Sequence, residues 1–464
     1  MTEDWGHVFN GEAKIDYWSP RVAEVLTEQG ITKLRIRGWK QPGFEPLIPF
    51  REQLVRIYYE IYDDADVPNL AALGQLGRLT NLSLRNGVET IDFSGLQELE
   101  LLSYSGDTPN FGNVRQARAL RTLYIVNGGL RDLTPLAGLD QIAELDVSES
   151  KLGTVVGIGQ LRALESLVLS QVSLSNLDSI VDAPSLRSLH LFMPRKLQSI
   201  APLTRLPLRV LSIGGTRRIS DIERLAEVVG LETLDFENVA MTSFSFLSRL
   251  TRLKALNLNG VGKVPSLSFL RPLEALERFF VVDATVEDGD MAVLFELPAL
   301  KRVFLQKRRH YTHDGHDVQA TLTDKWTRGP GAFDNASADE WIAELRQRQP
   351  IAWLGNTVRN VLDYGAEKDV PALVGQFAIA AAELIARLRG HGDGTSGPEP
   401  ITRWLEQRTL EVPPAIVTNA QAALDRLLME PSGLLRLWEA RGQGDAWKAA
   451  VADLKRRVAW EPGT

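Results

Sequence analysis

Cysteine is absent from this chain of 464 residues, which removes disulfide frameworks, thiolate metal sites and cysteine nucleophiles at once. The same absence fits a reducing compartment. Long apolar runs are missing too: residues 377–388 are the longest nearly uncharged stretch, and Glu383 and Arg387 interrupt it well short of the length a bilayer requires. The acidic start Met1-Thr2-Glu3-Asp4-Trp5-Gly6 lacks the apolar core of an export signal. A cytoplasmic protein without a membrane anchor is the expectation. Strong charge of either sign is also lacking, with 35 Lys+Arg against 38 Asp+Glu up to His310 and 17 against 21 beyond it. Nucleic-acid binding draws most of its affinity from phosphate neutralisation, so this balance counts against it, a local basic patch aside. Catalytic signatures are missing as well. There is no G-x-S-x-G and no H-E-x-x-H, and Gly260-Val261-Gly262-Lys263 lacks both the upstream glycine and the Ser/Thr of a phosphate loop.

What the chain does have is a hydrophobic register that returns about every 22 residues, thirteen times, on Ile31, Leu54, Leu79, Leu99, Leu120, Ile142, Leu164, Leu186, Leu208, Leu231, Leu253, Leu276 and Leu300. A fixed period of this length predicts a solenoid. In Leu164-Glu165-Ser166-Leu167-Val168-Leu169 the alternation of Leu167 and Leu169 with Ser166, Val168 and Ser170 is the period of two of a half-buried strand. Apolar spacing of three follows, as in Leu130, Leu133, Leu136 and Leu139, or Met241, Phe244, Leu247 and Leu250. That is the 3-10 period, and Pro135, Pro202 and Pro272 lie in such segments, where an α-helix would lose a hydrogen bond or clash. No single unit can bury its apolar edge alone, so the units are expected to stack into one curved parallel sheet.

The phrase L-x-x-L-x-L followed by I/L-x-x-L-x-P-L-x-x-L, as in residues 120–139 and 186–206, resembles the 22-residue leucine-rich repeat of internalins and of phosphatase-regulatory leucine-rich proteins. The resemblance covers residues 31–305 and implies an α/β solenoid with 3-10 and irregular turns on its convex side. It departs from the family where an asparagine usually ties neighbouring coils, eight residues after the first leucine. Gly87, Gly128, Ser150, Val172, Thr216, Val239, Val261 and Ala284 stand there, so no asparagine ladder is expected.

Composition divides the chain further. Residues 1–30 hold Trp5, Phe9, Tyr17 and Trp18 and a helix opening at Ser19-Pro20, which reads as a cap on the first coil. Seven of the ten tryptophans lie from Trp326 onward, and from Ser337-x-x-Glu340, read as a capping box, the periodicity becomes α-helical. The expected domains are the cap (1–30), the solenoid of about thirteen repeats (31–309), a linker (310–332) and an all-α domain (333–460). The last of these is similar to a small bacterial family of unknown function, through Gly331-Ala332-Phe333-Asp334-Asn335, Ala338-Asp339-Glu340-Trp341, Ala380-Ala381-Ala382-Glu383 and Ser432-Gly433-Leu434-Leu435-Arg436-Leu437-Trp438. Ala336 and Gly433 replace the acidic residues usual there. The resemblance implies a bacterial origin and a helical fold, and no chemistry.

His310, His313 and His316 with Asp314 and Asp317 have ligand chemistry, but a spacing of three in a basic connecting segment reads as a solvated linker, and no metal or other cofactor is expected. Glu287-Asp288-Gly289-Asp290 reads as an exposed turn. The concave sheet face is the better candidate: residues two, four and six after each first leucine point away from the core, among them Tyr124, Val126, Asp146, Val168, His190, Phe192, Asp235, Phe280 and Phe304. Aromatics among mixed charges resemble an interface core with a polar rim. An external protein partner is the favoured occupant; coverage within the chain or by a second copy in a homo-oligomer is the alternative. The functional expectation is a non-enzymatic recognition scaffold, in a narrower form an immunity or antitoxin-type protein. The alternative is an enzyme with an unrecognised site around Asp334, Asn335, Asp339 and His391, the repeats selecting a protein substrate.

Overall fold

A computed structural model describes residues 6–9, 11–59, 68–106, 111–345, 350–394, 397–406 and 410–459. Trp5 of the expected cap and Glu60, six residues after Leu54 and so expected on the concave face, lie outside them. The chain forms two compact units, Met1–Val293 and Leu294–Thr464, divided within the four-residue helix α2 (Val293–Glu296).

The first unit is a strand array whose main sheet is hydrogen-bonded in chain order, while Gly262–Val264 and Ala284–Val286 pair apart from it as a two-stranded sheet. Its regular strands, such as Thr122–Val126, Ser166–Ser170 and Thr233–Glu237, pair parallel and in register with the next coil. The period-two alternation has the expected consequence: Leu167 and Leu169 are fully buried while Ser166, Val168 and Ser170 are half-buried on the opposite face. The return paths are short 3-10 helices, among them Thr134–Leu136, Ala201–Arg205 and Ser245–Arg249. Pro135 and Pro202 occupy the first turn of theirs, where the missing N–H costs nothing, and Pro272 follows Ser268–Leu270. Leu130, Leu133, Leu136 and Leu139 all turn inward, so the spacing of three is what fills the core between coils.

The array begins earlier than the repeat phrase does. Gly6–Phe9 and Glu12–Ile15 form an antiparallel hairpin, and Glu12–Ile15 pairs parallel with Lys33–Ile36. α1 (Pro20–Glu28) then buries Val22, Val25 and Leu26. Trp18 lies 5.4 Å from Trp39, which stacks on Phe44 at 4.5 Å, and Phe44 meets Tyr59 edge-on at 5.2 Å. The cap is therefore a strand, a helix and an aromatic cluster together, because a terminal coil has no neighbour to cover its leucines.

Where the family usually has asparagine, Ser150, Val172, Thr216, Val239, Val261 and Ala284 are buried. The coils are tied one residue earlier. Asn86, Asn127, Glu149, Gln171, Met193, Gly215, Asn238, Gly260 and Asp283 all have positive φ, and the N–H groups of eight of them donate to the carbonyl at the end of the next strand, as from Asn127 to Ser148 at 3.1 Å and from Gln171 to Phe192 at 2.8 Å. The left-handed residue turns the chain off the strand while extending the ladder by one bond. Gln53 and Asn113 add side-chain ties, each donating to two carbonyls of the preceding coil.

In the second unit α3 (Gly315–Trp326) occupies the stretch expected as a linker. Asp314 caps it by accepting from the N–H groups of His316 and Asp317, while Val318 and Leu322 are buried. It packs on the strand Arg302–Leu305: Gln319 accepts from the Val303 N–H at 2.8 Å, and Trp326 Nε1 donates to the Leu300 carbonyl at 2.7 Å. The helices after it are α4 (Ala336–Leu345), α5 (Pro350–Leu362), α6 (Ala372–Leu388), α7 (Glu399–Glu406), α8 (Pro414–Leu427), α9 (Gly433–Ala440) and α10 (Gly444–Ala459). The capping box is corrected. Asn335, not Ser337, accepts from the Ala338 N–H at 2.8 Å, and Ser337 lies inside the first turn. Trp341, Trp438 and Trp447 are core, as their helical spacing predicts.

Candidate functional site

On the open face of the first unit's sheet, the side chains form rows because the strands stay in register. The central row runs Tyr124, Asp146, Val168, His190, Ser212, Asp235, Asn257, Phe280. A second row, toward the strand ends, runs Val126, Ser148, Ser170, Phe192, Gly214, Glu237. Eight of the nine candidate residues thus fall into two adjacent rows. The ninth, Phe304, belongs to the second unit, where it is 56% exposed.

Phe192 is 37% exposed and Met193 39%. Both are held up by glycines of the next coil: a Cβ on Gly214 would lie 2.7 Å from the Phe192 ring, and one on Gly215 would lie 2.6 Å from Met193 Cγ. Gly214-Gly215 is a trough in which two apolar side chains rest while facing solvent. Sequence reasoning missed Met193 because it counted only strand positions; its place one residue after the strand is the signal that would have found it.

Polar groups in the central row are desolvated by the row itself. Burial lowers the His190 pKa against the pull of Asp235 and Asp146, and the Ser188 hydroxyl lies 3.1 Å from its Nε2. Burial likewise raises the Asp235 pKa, overcoming His190, Asn257 and Arg278. Tyr124 is raised by burial first and then by Glu144 and Asp146. The Asn257 Oδ1 is buried without a hydrogen-bond partner. Groups in this condition gain from a partner that supplies donors and excludes water.

The other candidates resolve into structural parts. His313 packs edge-on against Phe295 at 5.0 Å, His310 against Tyr311 at 4.9 Å, and Asp314 serves as the α3 cap and pairs with Lys307 at 3.0 Å. Among the described residues no three or more His, Asp or Glu are grouped so as to hold a metal. Asp288 and Asp290 accept from backbone N–H groups two residues on, as an exposed turn requires. In the second unit, Asp334 accepts from the Gly331 N–H, Asn335 caps α4, Asp339 pairs with Arg328 at 3.3 Å, and the His391 carbonyl accepts from Arg457. Each of the four is engaged in a local contact of its own. Glu383 is instead a buried anchor, 1% exposed, bridging Arg387 at 2.8 Å and Arg457 at 2.7 Å. A cleft of about 490 Å³ in this unit is lined by Trp341, Trp353, Thr357, Asn360 and Phe377. Its Thr357 hydroxyl accepts from Trp341 Nε1 and donates to the Trp353 carbonyl, and Glu344, Arg359 and Asp363 also line it. Among the described residues no helix is long and apolar enough to cross a membrane.

No curated protein matches the chain. Solved structures that resemble it in part include an internalin (inlF) of Listeria monocytogenes (23% identity, 65% of this chain, 82% of that one, TM-score 0.42), a leucine-rich repeat protein of Leptospira interrogans (17%, 63%, 88%, 0.43) and the functional domain of InlJ of Listeria monocytogenes (18%, 62%, 72%, 0.38). Residues 327–450 match the family described as Domain of unknown function (DUF4259). The first unit is thus an array of parallel strands whose repeat resembles the leucine-rich repeat, and residues 327–450 are similar to the DUF4259 family.

Proposed function

We propose that this chain is a non-enzymatic scaffold that binds a protein partner on the open sheet face of its leucine-rich repeats. The observation that carries this reading is the exposed pair Phe192 and Met193, seated on Gly214-Gly215 beside a row of desolvated polar groups. Large apolar side chains held rigidly above a glycine trough have the character of interface anchors. The reading includes a bacterial, cytoplasmic setting. Its narrower form is an immunity or antitoxin-type protein that blocks a toxin by covering it.

The test is affinity capture from cell extract, with the captured protein then measured quantitatively. Phe192→Ala and Tyr124→Ala should each weaken binding by about 1–3 kcal/mol and leave thermal unfolding nearly unchanged, since neither side chain points into the core. Arg21→Ala and Lys151→Ala, away from that face, should be neutral. A sharp fall in melting temperature would mean that the chain itself covers these residues, and unchanged binding would move the partner elsewhere. For the narrower form, co-expression with the neighbouring reading frame should rescue growth if that frame encodes a toxin.

A further inference from the structure

The open face is sorted by charge along the array. Among the described residues, the outward positions of the strands Lys33–Ile36, Arg56–Tyr59, Asn81–Arg85 and Leu101–Ser105 carry Lys33, Arg35, Arg56 and Arg85 and no carboxylate. The Arg35 guanidinium lies 4.9 Å from the Tyr58 ring centroid and pairs with Glu12, on the preceding strand, at 2.7 Å. From the strand Thr122–Val126 to the strand Ala255–Asn259 the outward positions carry Glu144, Asp146, Asp235 and Glu237 and neither lysine nor arginine, until Arg278 closes the run. Phe192 and Met193 sit inside the acidic stretch. At about 4.8 Å per strand the step from Arg56 to Glu144 is roughly 19 Å, which exceeds the screening length at physiological salt. The two stretches therefore act as separate fields on whatever docks.

Resting on the proposed protein-binding reading, we propose that the partner is a protein segment of split charge, its carboxylates over the strands of residues 33–105 and its lysines or arginines over the strands of residues 122–259, with an apolar side chain against Phe192. Complementary potentials set orientation and association rate, and like charges in the reversed pose are repelled. A nucleic acid would be held by one end of this face and repelled by the other.

The test uses a labelled synthetic peptide of about six glutamates, a short spacer containing phenylalanine and about six lysines, read by fluorescence anisotropy against a scrambled peptide of the same composition. Tighter binding of the block peptide by tenfold or more at low salt, falling steeply as salt rises, is the expected result. Arg56→Glu with Arg85→Glu, or Asp146→Lys with Glu237→Lys, should each reduce it at least tenfold, and the four changes together should restore it in the flipped orientation. Circular dichroism checks folding, and the salt titration of the unaltered chain stands even where a variant fails to fold. Equal affinity for the scrambled peptide, or equally tight binding of a single-stranded oligonucleotide, would overturn the proposal. So would a chain dimer abolished by the same pairs of changes, since a second copy would then be the occupant. A captured native partner that is lost with Phe192→Ala yet unaffected by the four charge reversals would sink the charge assignment while leaving the binding reading intact.

Discussion

His190 and Asp235 stand two strands apart in the central row, and burial drives both toward their neutral forms. The consequences for stability have opposite sign. A histidine whose folded pKa is depressed contributes stability that is fully present above its ordinary value of about 6.5 and is lost as pH falls through the lowered value. Asp235, raised, contributes in its protonated form, so its share is present at low pH and is lost as pH rises through the raised value. The melting-temperature difference between the native chain and His190→Gln should therefore shrink as pH falls below about 6.5, with Asp235→Asn run in parallel to separate the second group. A difference that grew on acidification would mean that His190 is held charged, not neutral. None of this was legible in the chain: position four of the repeat predicts an outward side chain, but desolvation depends on what the next coils place beside it.

Across the elements, the column of left-handed residues after the strands carries the coil-to-coil registration. Asparagine and glycine suit that backbone, and Asn86, Asn127, Gly215, Asn238 and Gly260 supply them. Gly215→Ala should cost about 1–2 kcal/mol in urea denaturation, because the chain there has φ +62° and the new Cβ would meet Met193. Gly153→Ala, with ordinary φ and no neighbour nearer than 3.9 Å, is the control expected to be mild. The pattern seven residues after each first leucine was present in the sequence and was overlooked because the comparison looked at the eighth. In the helical unit the corresponding device is Glu383, whose carboxylate answers two arginines with side chains only 7% and 19% exposed. Glu383→Ala should destabilise this unit by about 1–3 kcal/mol, since Arg387 and Arg457 would keep only their more exposed partners Asp393 and Asp453. A loss below about 1 kcal/mol would show that water reaches the guanidinium groups. The sequence shows Glu383 as an interruption of an apolar run and as the end of the Ala380-Ala381-Ala382-Glu383 motif, and a lone carboxylate in such a run is itself a sign of a buried pair.

For the molecule as a whole, the repeat architecture follows from the sequence by itself: a period of about 22 with alternation of two and then spacing of three leaves few backbones that bury every leucine. The helices from residue 336 onward were equally legible, because amphipathic spacing is a local property of the chain. The tertiary structure decided what periodicity does not encode. The cap is partly a strand because Glu12–Ile15 finds an open edge at Lys33–Ile36, an encounter between residues about twenty apart. α3 forms in the expected linker because Val318 and Leu322 have somewhere to be buried. The candidate face exists only because register aligns one residue from each of many coils, so that Phe192 meets Gly214, and the cations of the early strands stand apart from the carboxylates of the later ones. Local pattern determines which way a side chain points, and only the stacking of coils determines its neighbours.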